Sequence, residues 1–65
     1  MKNGTKMLNL MYQRKKAGLT QEELAEKVGV KRMTIYNYEA GIRYPTPDRL
    51  KEIARVLGCS LDDLI

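Results

Sequence analysis

Histidine is absent from this sequence of 65 residues, and Cys59 is its single cysteine. A domain of this length buries a limited core, and such domains often add disulfides, a bound metal or an oligomeric partner. A lone cysteine cannot form an internal disulfide, and Cys59 is best explained as a small core residue. We therefore predict no metal and no cofactor, and we expect stability to come from helix packing or from self-association.

Long apolar runs are also missing, since no stretch of about 18 apolar residues could span a membrane. Residues 1–10 lack the apolar segment and cleavage site of a secretory signal. No glycine-rich phosphate loop is present, and the acidic residues lie at helix starts and on polar faces rather than as a pair in an apolar pocket. We expect a cytoplasmic protein with no membrane partner and no catalytic residues.

The charge that is present is unevenly distributed along the chain. The formal net charge is +4, yet residues 2–19 carry five lysines and arginines, Lys2 and Lys6 among them, and no acid. Residues 31–45 are also basic, whereas the rest of the chain is net acidic. A basic side can attract a polyanion such as nucleic acid, although it is also a common feature of ordinary protein surfaces.

Apolar residues recur at helical spacing in successive segments, and the first four segments are each followed by a glycine that can end a helix. On the first helix, Ala17 shares the apolar face. Thr20 and Glu23 have the spacing of a capping box, and Ser60 opens a similar signal near the end. We predict an all-α chain of five helices, at about 7–17, 20–28, 31–40, 47–57 and 61–65.

The second and third predicted helices form the most informative unit. Only Gly29, Val30 and Lys31 separate them, so the two helices must cross steeply rather than stack antiparallel. Ile35 and Tyr38 face inward on the third helix, which leaves its opening turn free to project. An α-helix with long polar side chains at its start fits the major groove of B-DNA, where base edges display a distinct pattern.

These residues also carry a family resemblance. The stretches GLTQEELA at 18–25, TIYNYE at 34–39 and LKEIA at 50–54, with the glycines and Pro45 between them, resemble the Cro and phage-repressor family, also called the XRE family. The resemblance covers essentially residues 7–65. It implies a compact five-helix bundle like that of lambda repressor, one helix-turn-helix domain over residues 1–65, and operator binding as a transcriptional regulator.

The resemblance also implies roles for individual residues. Bases are read by Arg32, Met33 and Asn37, with Lys31 and Tyr36 flanking them. Phosphates are contacted by Gln21, which also braces the recognition helix, and by Thr34 and Arg43. Arg14 and Glu39 match a pair that forms an internal ion bridge. One departure is Lys31, which stands where the family often has a serine or threonine cap, so the third helix is expected to start less firmly, by about 1 kcal/mol.

Some of these residues have two possible roles. Tyr36 and Tyr44 are either packing residues or groove contacts. The partner we expect is double-stranded DNA, bound by a homodimer of a prokaryotic or phage regulator, with no evident small-molecule effector. The apolar residues Leu61, Leu64 and Ile65 either supply the dimer interface or belong to the core. The alternative function is a protein-interaction module of the same fold, such as the antitoxin of a toxin-antitoxin pair.

Overall fold

A computed structural model describes residues 7–65 and, within that range, every side chain except that of Leu8. All regular structure in these residues is helical. The basic residues Lys2 and Lys6 lie outside the described range. The elements are α1 (Leu8–Lys16), α2 (Gln21–Val28), α3 (Arg32–Ala40), α4 (Pro47–Leu57) and a short 3-10 helix (Leu61–Asp63).

Side-chain caps define where most of these helices begin. The Thr20 hydroxyl accepts the Glu23 backbone N–H at 3.0 Å, and the Glu23 carboxylate accepts the Thr20 backbone N–H at 2.8 Å. The predicted capping box is therefore confirmed. The Thr46 hydroxyl caps α4 by accepting the Arg49 backbone N–H at 3.2 Å, and Pro47 occupies the first turn, where its missing N–H costs nothing.

The described residues contain four α-helices, so the prediction of a fifth was wrong. The segment after Ser60 has the predicted cap, with Ser60 and Asp63 bonded reciprocally, yet it closes only a single 3-10 turn. The Leu64 backbone N–H donates to the Leu61 carbonyl at 3.0 Å, which is the bond between residues three apart that defines a 3-10 helix. The first helix is also shorter than predicted, since it ends at Lys16 and Ala17 is its C-cap residue. Ala17 is exposed, so it does not belong to the apolar face as predicted.

The core lies where all of these elements meet. Its largest fully buried side chains come from all four α-helices and from the residue that follows the 3-10 helix: Leu10, Leu24, Ile35, Ile53 and Leu64. Each α-helix thus contributes at least one anchor to one continuous cluster, and Leu64 adds another just after the 3-10 helix. In residues 7–65 no helix has the length and apolar character required to cross a membrane.

The start of α3, like that of α1, has no side-chain cap. Lys31 has the extended backbone of a cap residue but makes no side-chain cap hydrogen bond. The first backbone N–H groups of α3 therefore lack the side-chain acceptor that Thr20, Thr46 and Ser60 supply elsewhere. A lysine side chain carries no acceptor, so the sequence itself explains this weak start.

We predict that Lys31→Ser stabilises the domain by about 1 kcal/mol, because a serine hydroxyl can accept a backbone N–H of the first turn of α3. The free energy of unfolding, measured by urea denaturation, would show the gain. Lys51→Ser, at an exposed position inside α4, is the matched control and should be slightly destabilising. Equal effects of the two substitutions would mean that the start of α3 needs no cap.

Candidate nucleic-acid interface

The third helix presents one side to the core and the other to solvent. Ile35, Tyr38 and Glu39 are buried, with exposed fractions of 0%, 8% and 5%. Arg32 and Met33 are exposed on the opening turn. The start of α3 therefore projects from the protein, as the sequence predicts.

The remaining predicted reading residues lie on the same exposed side. Tyr36 is 45% exposed, and Lys31 is exposed at the cap position. Asn37 is half-buried, one helical turn beyond Met33. The five predicted base-reading side chains are thus all exposed or half-buried, and we call them the α3 face: Lys31, Arg32, Met33, Tyr36 and Asn37.

A tight turn sets the angle between α2 and α3. Gly29 has a φ of 85°, a left-handed conformation that suits glycine, and its N–H and that of Val30 both donate to the Ala25 carbonyl. The Arg49 guanidinium of α4 also donates to the Val28 carbonyl at 3.4 Å. Sequence reasoning missed Arg49, since no local pattern relates it to a carbonyl 21 residues earlier.

A buried ion pair ties α3 to α1. The Nε and Nη2 atoms of Arg14 lie 2.6 Å and 3.1 Å from the two carboxylate oxygens of Glu39, so the contact is bidentate. The third guanidinium nitrogen, Nη1, donates to the Leu19 carbonyl at 2.8 Å, just before α2 begins. Arg14 is 7% exposed and Glu39 is 5% exposed, so both charges are largely removed from water.

Gln21 completes this arrangement from α2. Its Nε2 donates to Glu39 Oε1 at 3.0 Å. Glu39 therefore accepts hydrogen bonds from α1 and α2 at once, and no buried side-chain polar atom among the described residues is left without a partner. We call Arg14, Gln21 and Glu39 the polar bracket. Burial removes both charges of the ion pair from water, and this desolvation cost offsets much of their attraction. The bracket therefore fixes the position of α3 more effectively than it adds net stability.

Polar side chains flank the α3 face on both sides. On one side lies an open groove of about 860 Å³, lined in part by Thr34 and Arg43, which are both predicted to contact phosphates. Tyr44, 62% exposed, lines the same groove, so it is a surface residue and not a packing residue. On the other side Gln21 shares a shallow depression with Lys15 and Tyr36.

The three terminal apolar residues do not share one environment. Leu64 is 1% exposed and belongs to the core, so it is not available as a surface for dimerisation. Leu61 is half-buried and packs against the core, whereas Ile65 is 68% exposed. Cys59 is also partly buried against the core, and this burial raises the pKa of its thiol.

Two short helices that are joined by a tight turn and packed together, with the start of the second helix exposed, are the arrangement of helix-turn-helix DNA-binding proteins. A family model described as helix-turn-helix matches residues 10–64, so the chain belongs to the helix-turn-helix family, and its regulators of the XRE type are the ones that the sequence resembles. The resemblance found in the sequence is thereby confirmed.

Three similar proteins agree with this assignment. An uncharacterized HTH-type transcriptional regulator of Archaeoglobus fulgidus is 49% identical over 51 residues, which are 78% of this chain and 73% of that protein. The phage repressor RstR of Vibrio cholerae is 36% identical over 55 residues, 85% of this chain and 49% of its own length. The restriction-modification controller protein C.AhdI of Aeromonas hydrophila has a similar structure, with a TM-score of 0.82, 28% identity, and coverage of 88% of this chain and 83% of that one.

Removal of one member of the polar bracket should be costly. We expect Glu39→Ala to destabilise the domain by about 3–5 kcal/mol, because it leaves the Arg14 guanidinium buried without a counter-charge. The double variant Arg14→Met with Glu39→Leu should recover most of that loss, since it removes both charges and keeps the volume. Urea denaturation of the three proteins gives the comparison, with Glu22→Ala, an exposed carboxylate, as control. Equal stabilities for the single and double variants would contradict the coupling.

Proposed function

We propose that this protein is a sequence-specific transcriptional regulator that inserts the start of α3 into the major groove of an operator. The observation that carries the proposal is the α3 face itself, where Arg32, Met33 and Tyr36 are exposed on one side of a helix whose other side is anchored in the core. A helix in the major groove can read base edges only with side chains that project in this way.

The polar residues of the α3 face suit different bases. Arg32 can donate two hydrogen bonds to O6 and N7 of guanine, and Asn37 can pair with N6 and N7 of adenine. Lys31 and Tyr36 flank these contacts. We propose Arg32 as the main specificity contact because its guanidinium is exposed on the first turn of α3, where this class of protein meets the bases.

The flanks of the α3 face suit the two backbones that border a major groove. Thr34 and Arg43 offer a hydroxyl and a guanidinium to one backbone. Gln21 lies in the first turn of α2 and faces the other backbone. The N-terminus of a helix favours anions such as phosphate. The Gln21 amide carries two N–H donors and uses one on Glu39, so the second can reach a phosphate while the first holds α3. Contacts of this kind position a protein on DNA without reading its sequence.

The size of the domain supports binding as a homodimer. The longest extent of the fold is 31 Å, and successive major grooves on one side of DNA lie about 34 Å apart, so one copy reads a single half-site. Two copies related by a twofold axis would match a palindromic operator. We further propose that the protein acts as a repressor, by analogy with RstR. It would act in the cytoplasm and bind DNA without catalysing a reaction.

Substitution of Arg32 tests the reading surface. A selection from a randomised duplex library with the full chain would supply the operator, and fluorescence anisotropy at two salt concentrations would measure affinity. We expect Arg32→Ala to lose about 1–3 kcal/mol of binding free energy and to relax discrimination at one base pair, whereas Gln21→Ala weakens all sequences alike. Arg55→Ala, an exposed arginine of α4, is the control and should change little. Unchanged binding by the Arg32 and Gln21 variants would refute the proposed surface.

Substitution of the terminal apolar residues tests the dimer. Ile65→Lys should weaken dimerisation without loss of stability, because Ile65 is exposed and an unpaired lysine is costly in an interface. Leu64→Ala should instead destabilise the fold by about 2–5 kcal/mol, as expected for a buried leucine. Sedimentation equilibrium and thermal unfolding separate the two effects. If Ile65→Lys leaves the dimer constant unchanged, the interface lies elsewhere.

A further inference from the structure

Methionine occupies the most outward position on α3. Successive residues of an α-helix are rotated by about 100°, so Met33 lies roughly opposite the mean direction of the buried residues Ile35, Tyr38 and Glu39. Its side chain is 52% exposed. If α3 enters the major groove as proposed, Met33 is the residue that points most directly at the floor of that groove.

A methionine in this place cannot read bases as Arg32 and Asn37 do. Its thioether donates no hydrogen bond and accepts only weakly. The major-groove edges of the bases present hydrogen-bonding groups and one apolar group, the methyl on C5 of thymine. An unbranched, polarisable side chain can pack closely against such a group from several directions.

Other apolar side chains are exposed on α3 and in the loop that follows it. Tyr36, one turn further along α3, is 45% exposed, and Ile42 and Tyr44 in the loop after α3 are 64% and 62% exposed. These three and Met33 are four of the six large hydrophobic side chains that are exposed among the described ones. Single exposed apolar residues are ordinary, but four of them lie within residues 33–44, in α3 and the loop after it.

We infer that Met33 reads the C5-methyl group of a pyrimidine, so that the protein distinguishes thymine from cytosine at one position of each half-site by the methyl itself. The inference rests on the proposed function and deepens it, since it names the chemical group that one residue recognises. The same contact accepts 5-methylcytosine, which presents its methyl at the same place in the groove. Cytosine methylation at this position therefore raises the affinity of a site that carries cytosine in place of thymine.

Deoxyuridine substitution tests this directly, because deoxyuridine keeps every hydrogen-bonding group of thymine and lacks only the methyl. Each thymine of the selected operator is replaced singly, and affinity is measured by fluorescence anisotropy. We expect one position in each half-site to lose about fourfold in affinity, the value for burial of a single methyl group. At that position 5-methylcytosine should bind more tightly than cytosine by a similar factor.

Two variants of Met33 assign the effect to its side chain. Met33→Ala should lose the sensitivity to deoxyuridine at that position, whereas Met33→Leu, which keeps an apolar side chain of similar volume, should retain it. Tyr12→Ala, which removes an exposed aromatic side chain of α1 outside the α3 face, is the control and should keep the full effect. Because Met33 is exposed, circular dichroism should show that these variants remain folded.

The possible outcomes separate this inference from the proposed function. A library that yields no enriched sequence would contradict both. Specific binding with no loss at any deoxyuridine, or the same loss in Met33→Ala as in the unmodified protein, would overturn the role of Met33 and leave operator binding intact. A methyl-dependent loss that disappears in Met33→Ala and persists in Met33→Leu would establish the contact.

Discussion

The carboxylate of Glu39 is the point on which the orientation of α3 depends. It lies at the end of the helix opposite the projecting turn, and it accepts hydrogen bonds from Arg14 of α1 and from Gln21 of α2. A buried carboxylate is costly without partners, so positions of α3 that break these bonds are disfavoured by several kcal/mol. The apolar contacts of Ile35 hold α3 against the core but are non-directional. The polar bracket adds the directional constraint that an interface for a rigid partner requires.

This constraint has a functional consequence, because Gln21 belongs both to the bracket and to the proposed contact with DNA. A glutamine amide has two donors, and one of them is committed to Glu39. A phosphate bound by the second donor would therefore be linked to the position of α3 through a single side chain. The proposed phosphate contact of Gln21 and the proposed base contacts of Arg32 and Met33 would then keep a fixed position relative to each other. The register of the protein on DNA would define which bases the α3 face meets.

Local signals predicted most of the fold correctly because they act over a few residues. The capping box at Thr20 and the glycine after each helix fix where the chain changes direction, and helical spacing identified Leu24 and Ile35 as core residues. The prediction failed where a cap signal was present, because a cap marks the start of a helix but does not decide its type or length. Ser60 has the cap of an α-helix, yet the segment that follows forms only one 3-10 turn.

The sequence by itself determined the helix-turn-helix class, the projecting residues of α3 and the pairing of Arg14 with Glu39, the last through family resemblance. The first two rest on spacing along one helix or on a motif that is contiguous in the chain, whereas Arg14 and Glu39 lie on different helices and were paired only by the family resemblance. Only the tertiary structure decided that Leu64 is core while Ile65 is exposed, and that Arg49 supports the carbonyl of Val28. Burial and contacts of that kind depend on which distant segments pack together, and the chemistry of neighbouring residues does not encode that choice.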